Sequence, residues 1–326
     1  MDIAKVVFEA IDKIFDRSQN RSVEIDGSDK ITEIKDVKYS QTKKFNALLD
    51  VYYDAEIKEK KPVMFYIHGG GFVAGGKEYR TALSKWFAVQ GYFVANVNYG
   101  LSPDCVFPEQ IKHLVSALNW VKRVSKKYNL NLDRIVVSGD SAGAYFASMM
   151  ACITGSDTLK KKIGVKTDMK FCATILNCGL YDMKSILSKR LALDLNSKIF
   201  ESYTGIKKDE VEHYKYKDCC SPLQMIHKSF PPTFIIFAEK DVFCGGQAER
   251  LIKKFDDKNI YYESYKSSSL FANHCFSLEW KGKAAERANE LQAMFLKKVK
   301  DGELPRHQSE TTICIHESED DGHDKV

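Results

Sequence analysis

A serine flanked by glycines constrains the fold of this chain more than any other feature. Residues 139–143 read Gly-Asp-Ser-Ala-Gly, after a β-branched run at 135–137 and before a helix-like segment. This order places Ser141 on a sharp turn between a strand and a helix, where the backbone is strained and its neighbours lie close. Glycine at the outer positions, Gly139 and Gly143, removes side chains that would clash there. The pattern predicts a nucleophile elbow, and a chance match in a loop is the alternative.

A second glycine-rich segment complements the elbow. Residues 68–72 read His-Gly-Gly-Gly-Phe and directly follow the apolar run 63–67. In α/β-hydrolases, a glycine-rich loop after this strand offers backbone N–H groups to the oxyanion that develops during acyl transfer. The alternative is a flexible loop in which His68 only packs. The presence of both motifs favours hydrolase chemistry.

The order His-Gly-Gly-Gly and then Gly-Asp-Ser-Ala-Gly resembles the hormone-sensitive-lipase family of α/β-hydrolases, over residues 40–300. Between the motifs, residues 98–104 are similar to the family's Tyr-Arg-Leu-Ala-Pro-Glu segment, although Gly100 stands where arginine is usual and Asp104 where glutamate is usual. The resemblance implies an α/β-hydrolase fold: a mostly parallel central sheet flanked by helices, with a helical cap.

The periodicity of the chain independently predicts the α/β class. Segments 31–39 and 47–53 alternate apolar and polar residues, which is typical of antiparallel strands at a sheet edge. Segments 63–67 and 92–97 are almost continuously apolar, as in strands buried on both faces. Helical patterns lie between the strands, and this alternation indicates a mainly parallel sheet.

The chain divides into a catalytic core, a cap and a tail. The predicted α/β-hydrolase core covers residues 41–180 and 231–302. By resemblance, the cap comprises an N-terminal helix and entry segment at 1–40 and an insertion at 181–230, which is charged and tyrosine-rich. For the N-terminal helix, the alternative is a helix that only docks on the core. For the insertion, it is a surface excursion without a binding role. The acidic tail at 303–326 is predicted to be disordered because it is polar and highly charged.

A nucleophilic serine needs a base and an acid that orients the base. In this fold the acid and then the histidine follow the serine, on loops after late strands. Asp241 and His274 occupy such positions, and both match the family's pattern, except that Cys275 stands where glycine is usual. Glu239 is the main alternative acid. The competing histidines lie in a helix, the predicted cap or the tail: His113, His213, His227, His307, His316 and His323.

The resemblance implies a serine carboxylesterase that hydrolyses small to medium acyl esters through Ser141, Asp241 and His274. Ala142 is assigned to the oxyanion hole because it follows the nucleophile, and Gly70 and Gly71 are assigned by resemblance. An amide, carbamate or acyl-sugar deacylase with the same triad is an alternative. A ligand receptor on the same fold is another, which the presence of a histidine at the catalytic position disfavours.

The composition limits partners and compartment. The net charge of +5 is small, and the lysine runs lack interleaved aromatics, so we expect no nucleic-acid partner. No apolar run reaches the about 18 residues of a membrane span, and no segment is clearly committed to a lipid interface. Nine cysteines without metal-binding spacing indicate free thiols in a cytoplasmic protein with neither metal nor cofactor. The expected partner is a small-molecule ester, and a homodimer is compatible with the resemblance.

Overall fold

A single mixed sheet organises the molecule. The computed structural model describes residues 6–10, 13, 23–42, 45–188, 195–305 and 314–316. Within these residues the sheet has nine strands in the order β1-β2-β4-β3-β5-β6-β7-β8-β9. The strands are β1 (Ile31–Lys38), β2 (Leu48–Asp54), β3 (Lys61–Ile67), β4 (Phe93–Val97), β5 (Leu130–Asp140), β6 (Ala173–Asn177), β7 (Thr233–Ala238), β8 (Tyr262–Ser267) and β9 (Cys314–His316). Strand β2 is antiparallel to both β1 and β4, and every other pairing is parallel.

Helices cover both faces of this sheet. They are α1 (Thr81–Val89), α2 (Glu109–Tyr128), α3 (Ala142–Thr154), α4 (Asp157–Ile163), α5 (Met183–Ser188), α6 (Leu195–Thr204), α7 (Pro222–Met225), α8 (Gln247–Lys258) and α9 (Lys283–Asp301). Apolar side chains of α2, α3 and α8 form one buried layer with the sheet, and those of α1 and α9 form a second layer. Strands β4, β6 and β7 are buried along their whole length, which explains why their sequences are mostly apolar.

The observed architecture confirms the predicted α/β-hydrolase fold. The antiparallel pair β1 and β2 lies at one edge, and the parallel strands with their crossover helices form the rest of the sheet. In a parallel sheet the carboxyl ends of neighbouring strands meet at one edge, where α/β proteins bind ligands. The segments after β3, β5, β7 and β8 therefore share one end of the molecule.

The termini differ in part from expectation. Cys314–His316 forms strand β9 beside β8, so the prediction of a disordered tail is wrong for these three residues. A parallel register with β8 gives their backbone groups hydrogen-bonding partners, a possibility that charge composition does not reveal. Residues 306–313 and 317–326 lie outside the described residues. At the other end, residues 6–10 are helical, as predicted.

The predicted cap insertion contains α5, α6 and α7 together with a 3-10 helix at Lys208–His213. Residues 189–194, which the sequence pattern places partly in the helix that begins at Met183, lie outside the described residues. Among the described helices, none combines the length and the apolarity that crossing a membrane requires.

Candidate active site

Ser141 sits on a strained turn between β5 and α3. Its backbone has φ 53° and ψ −120°, a conformation that side chains rarely adopt and that is retained where the surroundings enforce it. A Cβ on Gly139 would collide with the backbone of Gly143, and a Cβ on Gly143 would collide with the carbonyl oxygen of Ile67. Both glycines are therefore required sterically, as the elbow motif predicts.

The structure brings together the three residues that the sequence predicts as a triad. The Oγ atom of Ser141 lies 2.8 Å from Nε2 of His274. On the other side of the ring, Nδ1 of His274 lies 2.9 Å from Oδ2 and 3.0 Å from Oδ1 of Asp241. These distances allow Nδ1–H to donate to the carboxylate while Nε2 accepts from the serine hydroxyl. The chain of hydrogen bonds can move a proton off Ser141.

Asp241 is held as an ionised acceptor. Its Oδ1 atom accepts hydrogen bonds from the N–H groups of Phe243 and Cys244, at 2.9 and 2.7 Å. Burial favours the protonated form, but the hydrogen bonds from His274 and from these two N–H groups outweigh it and hold the pKa of Asp241 below its usual value. A carboxylate that stays ionised can orient His274 and stabilise its charged form.

Glu239, the alternative acid, is placed differently. Its side chain is 52% exposed and lies 3.6 Å from Nζ of Lys266. In the part of the chain that the structure describes, no hydrogen bond joins it to His274, whereas Asp241 makes two. The geometry therefore favours Asp241.

Asn273, which no sequence pattern singles out, links the two loops that carry Asp241 and His274. Its Oδ1 atom accepts from the N–H of Val242 at 3.2 Å and from the N–H of His274 at 2.7 Å. One side chain therefore fixes the position of both loops relative to each other. An asparagine next to a histidine gives no pattern that distinguishes this role, so only the tertiary contact reveals it.

The glycine-rich loop presents unpaired N–H groups beside Ser141. Gly70 and Gly71 have φ values of 117° and 58°, which favour glycine. The carbonyl oxygen of Gly70 accepts from the N–H groups of Val73 and Ala74 and closes the turn. No hydrogen bond between described residues uses the N–H groups of Gly70, Gly71 or Ala142. These donors are available to an oxygen atom at the site.

His68 at the start of this loop is a buried neutral residue. Its ring stacks on Tyr99 at 4.5 Å, and Nδ1 lies 2.7 Å from the carbonyl oxygen of Gly69. Burial lowers the pKa of His68 to about 4 because a charged ring would lose its hydration. The side chain of His68 therefore packs in the interior, which is the alternative that the sequence left open.

The buried state of His68 predicts a loss of stability in mild acid. Between pH 6.5 and 4 the unfolded chain binds a proton on this ring and the folded chain does not, so the free energy of unfolding falls as the pH falls, by about 3 kcal/mol over the window. Urea unfolding at several pH values measures this slope. His68→Gln should flatten it, whereas His213→Gln, at an exposed histidine, should not. An equal slope in the parent and His68→Gln would contradict the prediction.

Asp140, the residue before the serine, holds the elbow in place through buried hydrogen bonds. Its carboxylate accepts from Nε and Nη2 of Arg80 at 2.9 and 2.6 Å and from the hydroxyl of Tyr66 at 2.6 Å. All three side chains are buried. Burial opposes ionisation of Asp140, but Arg80 outweighs it and lowers the pKa of the carboxyl group. Neither Arg80 nor Tyr66 was identified from the sequence, because no spacing relates them to the elbow.

Loss of Arg80 should destabilise the fold strongly. Arg80→Met would leave the Asp140 carboxylate buried without its cation, which typically costs about 3–5 kcal/mol. Arg250→Met is the matched control, since its pair with Asp182 is more exposed, with a distance of 3.3 Å, and should cost about 1 kcal/mol or less. Urea unfolding of both variants measures the difference. Similar costs for the two variants would show that the Asp140 contact does not support the elbow.

A small cavity adjoins Ser141. Its volume is about 50 Å³. Its wall is mainly apolar and is formed by side chains of the core and of the predicted cap segments: Phe8, Phe72, Leu180, Met183, Phe200 and Phe243. Phe72 stacks on Tyr203 of α6 with ring centroids 4.3 Å apart. This contact joins the insertion to the glycine-rich loop.

An exposed apolar surface borders the triad loops. Val242 is 58% exposed, Leu270 is 68% exposed and Phe271 is 92% exposed. Val242 follows Asp241 directly, and the other two precede His274. No sequence pattern reveals this surface, because its residues belong to two loops separated by α8 and β8.

Comparison with known proteins agrees with this architecture. The model of the BD-FAE family matches residues 49–254, more than half of the chain. An α/β-hydrolase of Acanthamoeba polyphaga mimivirus is 30% identical over 200 residues, which cover 57% of this chain and 53% of the relative. An acetyl esterase of Salmonella schwarzengrund is 27% identical over 191 residues, or 55% of each chain. The chain thus spans about half the length of the curated relatives it matches.

A solved structure provides the comparison of folds. The phosphonate-inhibited esterase B from Lactobacillus rhamnosis superposes with a TM-score of 0.79 at 22% identity, covering 91% of this chain and 94% of that one. At this identity the likeness concerns the fold. Together with the family match, it confirms the resemblance to hormone-sensitive-lipase-like α/β-hydrolases.

Proposed function

Because the chain belongs to the BD-FAE family of α/β-hydrolases, we propose that it is a serine carboxylesterase acting on small to medium acyl esters. The observation that carries the proposal is the continuous hydrogen bonding from Ser141 through His274 to Asp241. The names of the acetyl esterase and of esterase B among the similar proteins support the same class of reaction.

In the first half of the reaction, Ser141 becomes acylated. His274 accepts the Oγ proton at Nε2 while Oγ attacks the ester carbonyl carbon, and Asp241 stabilises the imidazolium through Nδ1. The oxyanion accepts hydrogen bonds from the N–H groups of Gly70, Gly71 and Ala142. Each such donor contributes about a hundred- to a thousandfold to the rate. His274 then gives its proton to the leaving alcohol.

In the second half, water repeats the sequence. His274 removes a proton from water, the resulting hydroxide attacks the acyl carbonyl, and the acid leaves as Ser141 regains its proton. Residues 1–40 and 181–230 act as the cap in this proposal, since Phe8 and Phe200 belong to the cavity wall next to the nucleophile. The cap excludes water from the oxyanion and shapes the acyl pocket.

A series of p-nitrophenyl esters from acetate to laurate tests the proposal. A cavity of about 50 Å³ favours the shortest acyl chains, so turnover should be highest near acetate and butyrate. Ser141→Ala is the negative control. If a folded parent protein hydrolyses no ester of the series, the esterase proposal fails, and amide, carbamate and acyl-sugar substrates become the next candidates.

Enlarging the cavity should shift the chain-length optimum. Phe200 is buried and lines the cavity, so Phe200→Ala opens space for a longer acyl chain and should raise the ratio of octanoate to acetate turnover by about tenfold. Phe230→Ala is the matched control, because it removes the same buried group outside this cavity. An unchanged ratio in Phe200→Ala, or the same shift in both variants, would show that the cavity does not hold the acyl chain.

A further inference from the structure

We propose that Cys178, Cys275 and His274 form a binding site for Zn²⁺ or a cation of similar softness, and that its occupation inhibits the enzyme. The two thiol sulfurs and one ring nitrogen of His274 all lie within 4.8 Å of one another. Two cysteines and a histidine are a ligand set that zinc prefers. With Zn–S and Zn–N bonds of about 2.3 and 2.1 Å, tetrahedral ligands lie roughly 3.5–3.8 Å apart. Shifts of about 1 Å therefore suffice to assemble the site.

The backbone presents both thiols from neighbouring loops. Cys178 follows β6 directly, and Cys275 follows His274. Both residues have left-handed backbones, with φ 47° and 57°, which is uncommon for residues other than glycine and asparagine. The two sulfur atoms lie within 4.8 Å of each other. Such an arrangement points two soft ligands at one position next to the proposed base.

Charge balance favours a cation over free thiolates. Both cysteines are almost fully buried, and an isolated thiolate would lose its hydration there. When Zn²⁺ binds, two S–H bonds break, two S–Zn bonds form, and two protons pass to the solvent. The dication and two thiolates together are neutral, so their burial costs much less than that of a single charge.

Occupation would remove the base. A ring nitrogen of His274 that donates its lone pair to a metal cannot also serve the hydrogen-bonded relay from Ser141 to Asp241. Inhibition rests on the proposed esterase function, whereas cation binding does not.

Cobalt spectroscopy tests binding without reference to activity. Addition of Co²⁺ to the purified full chain should produce a thiolate-to-metal charge-transfer band, and added Zn²⁺ should abolish it. Cys178→Ala and Cys275→Gly, singly and together, should weaken Co²⁺ binding at least about tenfold. Glycine suits the left-handed backbone at 275. Cys105→Ala is the control, because Cys105 lies in a separate cluster, with Glu109 and His113. A band that survives in both single variants, or that is lost in Cys105→Ala, overturns the proposal.

Kinetics separates the two parts of the inference. Zn²⁺ should inhibit ester hydrolysis by the parent protein, more strongly at higher pH because thiol protons must leave, and a chelator should restore the rate. Mg²⁺ should have no effect because it prefers oxygen ligands. Relative to its own uninhibited rate, Cys275→Gly should need at least about tenfold more Zn²⁺. Equal sensitivity of parent and variant overturns the site. A cobalt band without any ester turnover would refute the proposed function and leave the metal site standing.

Discussion

Ser141→Ala is expected to lower kcat for p-nitrophenyl acetate by about a millionfold, because no other group in the triad can form the acyl-enzyme. Activity that remains should come from the oxyanion donors and from substrate binding alone. Alanine lacks only the hydroxyl group, so the elbow between β5 and α3 and the thermal midpoint of unfolding should be retained.

A fluorophosphonate provides an independent measurement of the same point. Intact-mass spectrometry should show one adduct on the parent protein and none on Ser141→Ala. Ser138→Ala is the matched control, since Ser138 is a buried serine on β5, three residues before Ser141. That variant should retain the adduct. Hydrolysis by Ser141→Ala within about tenfold of the parent would contradict the assignment of the nucleophile.

The elements of the core could be predicted from the sequence because each depends on local pattern. The strand from Lys61 to Ile67 and the helix from Lys283 to Asp301 follow from apolar runs and helical periodicity. The same holds for Ser141, because the glycines around it are required by backbone contacts that any nucleophile elbow has. Where pattern and steric requirement coincide, the sequence is sufficient.

The supporting residues could not be predicted, since they act through contacts between distant segments. Arg80 and Tyr66 reach Asp140 across 60 and 74 positions of the chain, and neither belongs to a recognisable motif. Asn273 joins two loops through a single oxygen atom. Cys178 and Cys275 likewise come from distant segments and lie close together only in the folded chain. A sequence shows the residues that chemistry needs more readily than those that hold them in place.

Replacement of Asp241 by asparagine is expected to lower kcat about ten-thousandfold with little change in stability. Asparagine preserves the shape of the side chain, but its NH₂ group can donate to Nδ1 of His274 and so favour the tautomer with the proton on Nε2. That tautomer cannot accept the proton of Ser141. The imidazolium formed during attack also loses its carboxylate, so the effect should fall on kcat more than on KM.

Glu239→Gln distinguishes the two candidate acids. Glu239 is more exposed and interacts with Lys266, so its neutralisation should change kcat by less than about twofold, as for most surface substitutions. Steady-state kinetics of both variants with the same ester decide between them. If Glu239→Gln lost the activity and Asp241→Asn kept it, Glu239 would be the acid that orients His274. The two hydrogen bonds between Asp241 and His274, at 2.9 and 3.0 Å, argue that the loss belongs to Asp241, because a carboxylate that accepts from Nδ1–H fixes the tautomer in which Nε2 is free to accept.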